Sequence, residues 1–131
     1  MAYEINNYSV RITLKAAADL SGSQYCFVKL DSNGNAALCS AATDKPLGVL
    51  QNQPIAGKEA SILVEGGTKL KASAAVSIGA SLGTTTTGTA VTLVQGTDTT
   101  KYVVGTALTA AGGANELITA LVSCASASRA S

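Results

Sequence analysis

KEASILVEGGTKLKA, residues 58–72, holds two apolar runs on either side of Gly66-Gly67, with no room for a helix. The pattern predicts a β-hairpin. Pairing across a two-residue turn would set Leu63 opposite Leu70 and Val64 opposite Lys69, and both faces would be mixed. A three-residue loop, Glu65-Gly66-Gly67, sorts them. Ala60, Ile62 and Val64 then join Thr68, Leu70 and Ala72 on one side, while Ser61 and Leu63 join Lys69 and Lys71 on the other. A type I turn ending in a left-handed glycine has that length, and Gly67 takes positive φ without a Cβ clash. Gly66 and Gly67 are therefore expected to be structural turn residues. Burial fixes the register, because a slip of one residue turns every core side chain to water. Such a one-sided hairpin needs further strands to cover it.

Strand-like segments extend in both directions. YSVRITLK (8–15) alternates, with Val10, Ile12 and Leu14 on one face and Arg11, Thr13 and Lys15 on the other. Asp19, Ser21 and Gly22 then stop the pattern. QYCFVKL (24–30) places Cys26, Val28 and Leu30 inward, and DSNGN (31–35) turns the chain into 36–39, a second hairpin. Pro46 belongs at the start of the strand LGVLQN (47–52). Beyond the central stretch, Gly79 and Gly83 rule out a long helix, the threonine run 84–89 reads as a turn, and 90–94, 101–107 and 115–123 are further strands. Leu47-Gly48-Val49-Leu50 and Val104-Gly105-Thr106-Ala107-Leu108 echo each other, either as equivalent corners of a small barrel or by coincidence. About nine short strands at spacings of roughly 8 to 12 residues predict an all-β fold, a small β-barrel or sandwich. An N-terminal arm (1–7), one β domain (8–123) and a flexible C-terminal tail (124–131) complete the expected organisation.

Composition narrows the function classes. The chain has 131 residues and a net charge of +1, with charged residues at 13%, about half the usual share of roughly a quarter. Nothing marks it for nucleic acid or for an anionic membrane. No segment approaches the ~20 apolar residues of a helical span, and the opening residues, with Glu4, lack the apolar run of a signal peptide. A surface this neutral and rich in small side chains is expected to be partly covered by self-association. Cys26, Cys39 and Cys124 are odd in number and lack metal-ligand spacing, so they are expected as buried small hydrophobes.

Chemistry-bearing motifs are nearly absent. With no histidine, Ser-His and Cys-His nucleophile systems and His metal ligands are excluded. Nearly all of the eight carboxylates lie in or beside expected turns, where a solvated turn accounts for them better than a glycosidase pair. No catalytic, cofactor-binding or metal residue is expected, and no cofactor. Tyr3 and Tyr8 sit with Asn6 and Asn7 in a polar stretch that a core does not explain, and tyrosines are good interface anchors. Together with Arg11 and Lys15 on the outward face of the following strand, they are the expected interface residues.

Lys45-Pro46-Leu47-Gly48-Val49-Leu50-Gln51-Asn52, Pro54, Ala56-Gly57-Lys58, the apolar run 60–64, Gly66-Gly67 and Leu70 come in an order that is itself informative. With 79–83, Val104-Gly105-Thr106-Ala107-Leu108 and Leu117-Ile118-Thr119-Ala120-Leu121, the succession resembles the head-decoration, or capsid-cement, proteins of tailed phages, over residues 24–122. The resemblance implies a small β-rich structural protein, commonly a homotrimer, that binds the outside of an expanded head and stiffens it. Its partners would be the major capsid protein and itself, with no nucleic acid and no membrane. Its place would be the outer capsid surface of the virion after assembly in the host cytoplasm. A carbohydrate-binding or adhesin-like domain using Thr84 to Thr87 is the alternative, although the chain has no Trp and no aromatic between Val28 and Lys101.

Overall fold

The computed structural model describes residues 9–131, so Tyr3, Asn6, Asn7 and Tyr8 lie outside the described residues. The strands are β1 (Val10–Lys15), β2 (Phe27–Leu30), β3 (Ala36–Leu38), β4 (Gly48–Leu50), β5 (Glu59–Lys71), β6 (Ser81–Thr84), β7 (Ala90–Thr92), β8 (Tyr102–Val103), β9 (Gly105–Ala107), β10 (Leu117–Ser123) and β11 (Ser128–Arg129). A 3-10 turn, Cys124–Ser126, precedes the last. One sheet runs β3-β2-β4-β5-β10-β9-β6-β7 with β1 also paired to β5, and β8 pairs with β11 apart from it. The sheet curls into a half-barrel, and the all-β expectation holds.

The expected central hairpin is not formed. Glu59–Lys71 is a single strand with Gly66-Gly67 at its middle. Ala60, Ile62, Val64, Thr68, Leu70 and Ala72 are buried on one face as anticipated, because an uninterrupted strand and a hairpin with a three-residue loop give the same alternation. Long-range partners decide between them. The first half of β5 pairs with β1 (Leu14↔Ala60) and β4 (Val49↔Leu63), and the second half pairs with β10 (Ile118↔Leu70). The glycines mark the changeover. Gly66, not Gly67, takes the left-handed value (φ +129), and the β1 ladder skips a residue between Val10 and Arg11, so the strand bulges there.

The echo around Gly48 and Gly105 is part of an internal duplication that spans the described fold. Strand β1 is followed by Ala16, which bridges Ala36 in parallel, and β5 is followed by Ala72, which bridges Ala90 in the same sense. Ala17 and Ser73 donate their N–H groups to the carbonyls of Ala36 and Ala90, each at 2.8 Å. Gly57 N–H bonds Ala16 O as Asn115 N–H bonds Ala72 O, with φ of +78 at Gly57 and +67 at Asn115. The turns correspond too: Gly34 N–H bonds Asp31 O, and Gly88 N–H bonds Thr85 O, with φ of +80 and +79. Gly48 and Gly105 are equivalent close approaches. A Cβ would lie 2.6 Å from Leu63 O in the first case and 2.8 Å from Leu121 O in the second. Each half is thus one strand, a hairpin, a short glycine-led strand and a return strand, and β5 serves as the return of the first and the opening of the second.

The core is continuous across both halves. Phe27, Leu50, Ile62, Leu63, Leu70 and Leu82 are its largest fully buried side chains. In β2 the buried residues are Phe27 and Val28 beside Cys26, while Leu30, expected inward, stands exposed at the hairpin tip. The tail also departs from expectation, since it is docked rather than frayed. Ser128 and Arg129 pair with Val103 and Tyr102, and Ala130 is buried. Ala130 N–H donates to Lys101 O at 3.0 Å and its carbonyl accepts from Gly96 N–H at 2.9 Å, bonds that side-chain composition does not reveal.

Candidate interaction surface

The strand β1 presents Arg11, Thr13 and Lys15 outward, as its alternation predicts, and turns Ile12 and Leu14 onto the core. Lys15 lies opposite Glu59 and Arg11 opposite Leu63 in the β5 ladder. Gly66 and Gly67, expected as a turn, instead form the middle of the sheet, where Gly67 is exposed.

The second half of β5 and β10 carry a different outer face. Leu117, Thr119 and Leu121 point outward from β10, across from Lys71, Lys69 and Gly67. Leu117 is 50% exposed and Leu121 52%. Tyr25 borders them, with its carbonyl accepting the Lys71 N–H at 2.9 Å and its ring centroid 5.9 Å from Lys69 Nζ. A shallow groove between Tyr25, Gln53, Lys71, Asn115 and Leu117 continues the face. Lys69 and Lys71 were expected on the outward side of the central stretch but not as interface residues, and the leucines were not singled out. Both faces of LITALVS are apolar, and alternation alone does not say which is left uncovered.

The acidic groups organise turns. Asp31 Oδ1 accepts the N–H groups of Asn33 (2.9 Å) and Asn35 (2.8 Å). Asp44 Oδ2 accepts from Ser40 and Ala41 N–H and from Lys29 Nζ at 2.9 Å. Burial pushes the Asp44 carboxyl up, but those bonds and the Lys29 charge hold it below the usual range. Asp98 does the same work in the second half, where the Val94 N–H and then the Lys101 ammonium lower it. Among the described residues no cluster of three Cys, Asp or Glu side chains has a metal-holding arrangement. All three cysteines are free and buried. Burial pushes the Cys39 and Cys124 thiols up to about 12, so they carry no thiolate near neutrality.

The threonine run forms a turn whose base is buried and whose tip, Thr86 and Thr87, is exposed. Thr84 and Thr89 are buried, Gly88 O accepts the Phe27 N–H at 2.7 Å, and the hydroxyls of Thr85, Thr87 and Thr89 bond one another.

An acid-poor, duplicated β scaffold with an uncovered apolar face matches the family model described as phage cement protein over residues 4–124. The chain belongs to the phage cement proteins. As a member of that family it is a structural protein of the virion, associated with the phage capsid. Among solved structures, the cement protein is similar to the head fiber gp8.5 N base in bacteriophage phi29. The two share 20% identity at a TM-score of 0.64, covering 89% of this chain and 96% of that one, and so share a fold. No curated protein sequence matches the chain.

Proposed function

We propose that this cement protein binds the major capsid protein on the outer surface of the head and stabilises the shell without catalytic activity, cofactor or nucleic acid. It is assembled onto the head in the host cytoplasm. The observation that carries this reading is the family match over nearly the whole chain. The working form is a homotrimer, a closed cyclic assembly that would cover part of a weakly charged surface. Tyr3, Asn6, Asn7 and Tyr8, with Arg11 and Lys15 on β1, form the first contact with the shell, where a polar arm and the exposed strand can follow the partner's backbone.

Co-sedimentation with undecorated heads, together with the temperature at which decorated and bare heads release DNA, tests the reading. Saturable binding that raises the release temperature is expected. Binding that leaves head stability unchanged removes the cementing role. Deleting residues 1–7 and replacing Tyr8 with Ala should leave a folded protein of low occupancy, and full occupancy moves the first contact elsewhere. Light-scattering mass, in solution and for protein eluted from heads, tests the trimer.

A further inference from the structure

The two halves of the fold serve as controls for each other, and several of their departures from equivalence fall on the outer face of β5 and β10. Lys15 and Lys71 occupy matching positions, each directly before the bridging alanine, yet Lys15 faces Glu59 and Lys71 faces Leu117. Leu63 and Leu121 also match, since each lends its carbonyl to the close approach of Gly48 or Gly105. Leu63 is 0% exposed and Leu121 52%. Thr13 of the first half is matched by Lys69 in the second. Arg11 is matched by Gly67, so each half keeps two outward cations, but Glu59 gives way to Leu117, and the second half gains exposed leucines and loses the carboxylate across from its lysine.

Tyr25 adds an independent observation. Its N–H bonds Leu50 O as the Gly79 N–H bonds Ala107 O, and both residues have positive φ, +66 and +84. Glycine takes that backbone freely, whereas tyrosine is strained there, and strain of this kind collects at functional sites. The strained residue sets its ring beside Lys69 and its carbonyl on Lys71. Among the described residues no carboxylate forms an ion pair with either lysine.

We infer that Tyr25, Lys69, Lys71, Leu117 and Leu121 form a second docking face for the capsid, received by an apolar ridge flanked by acidic side chains on the shell. This rests on the capsid-binding reading above. Charge selects the occupant: the two lysines have no carboxylate partner among the described residues, and an acidic shell surface neutralises them, whereas a contact between copies, two-fold or three-fold, would have to bring carboxylates from this chain, most of which are engaged in its turns. The exposed leucines supply the apolar centre and the lysines the rim.

The experiment measures binding to undecorated heads for the full chain and three variants. Lys69→Glu with Lys71→Glu alters exposed or half-buried positions only, Leu121→Glu tests the apolar centre, and Leu30→Ser changes a similarly exposed leucine on the far hairpin. At physiological salt the first two are expected to lose about tenfold or more in apparent affinity, with unchanged circular dichroism and mass, and Leu30→Ser is expected to bind like wild type. Wild-type binding by both face variants overturns the inference while leaving capsid binding intact. A changed oligomeric mass in those variants overturns it in favour of a contact between copies. Failure of the unaltered protein to bind heads takes down the capsid-binding reading and this inference with it.

Discussion

Lys15 and Lys71 stand at the same point of two copies of one backbone pattern, but the first looks across its ladder at a glutamate and the second at a leucine. Inside, the halves stay alike: an alanine bridge, a glycine pressed onto a carbonyl, a turn closed by a left-handed glycine. Outside, they diverge. Backbone contacts that leave no space for a side chain hold both halves to one geometry, whereas an outward side chain can change at little cost to the fold. The scaffold is therefore duplicated and the surface is not.

The sharpest way to break this equivalence is at the paired glycines. A Cβ at Gly48 would lie 2.5 Å from Ile62 Cγ2 and 2.6 Å from a backbone oxygen, and at Gly105 2.8 Å from one. Gly48→Ala and Gly105→Ala should each destabilise by about 3 kcal/mol, since the packed strands must move apart. Urea midpoints check this, and a tolerant Gly105 would mean that the second half is not built as the first. Next in size is the changeover in β5. Gly66→Val, forced to hold φ +129, should cost about 1–3 kcal/mol. At Gly67 the nearest atom to a new Cβ is Leu121 Cδ2 at 4.0 Å, so Gly67→Val should shift stability by no more than about 0.5 kcal/mol.

The paired aspartates give a smaller contrast. Asp44 binds two N–H groups and Lys29, and its side chain is 20% exposed. Asp44→Asn should cost about 1–2 kcal/mol at neutral pH, and Asp98→Asn, where the carboxylate accepts one backbone N–H rather than two, should cost less. Because both carboxyls are held below their ordinary value in the folded state, their contribution is full above about pH 4 and is lost as the pH falls through the depressed folded values. Thermal melts of each variant against wild type from neutral pH downward should therefore converge in acid. The smallest expected signal is thiol labelling. With all three cysteines buried, native protein should react with a thiol reagent far more slowly than protein in denaturant, and fast labelling of Cys39 would show that the first half opens locally.

Much of the scaffold was legible along the chain. The alternation of β1, the turns at Asp31 and in the threonine run, and the Gly48 and Gly105 echo are local signals, and the structure carries them through. The continuity of β5 was not legible, because its period of two survives either a turn or a straight run, and only β1, β4 and β10 together exclude the turn. The docked tail was hidden for another reason. Its anchoring uses backbone bonds, the small side chain of Ala130 and the contact of Arg129 with Tyr102, none of which marks a hydrophobic strand. Of the interface residues expected from sequence, Arg11 and Lys15 are outward on β1, and the leucines of β10 were missed because exposure is a property of the assembled sheet.

The strand shared by the two halves also bears on how the chain reaches this structure. An emerging chain has all four parts of the first half once residue 65 is out, but the second half of β5 finds its partner only when β10 appears near the far end. Until then one strand carries an unpaired extension with open backbone groups, a template for wrong pairing. Gly66 bends the strand where the finished half gives way to the waiting one. Once β10 has docked, neither half can be released without stripping a strand from the other, and the duplicated molecule should unfold in a single step.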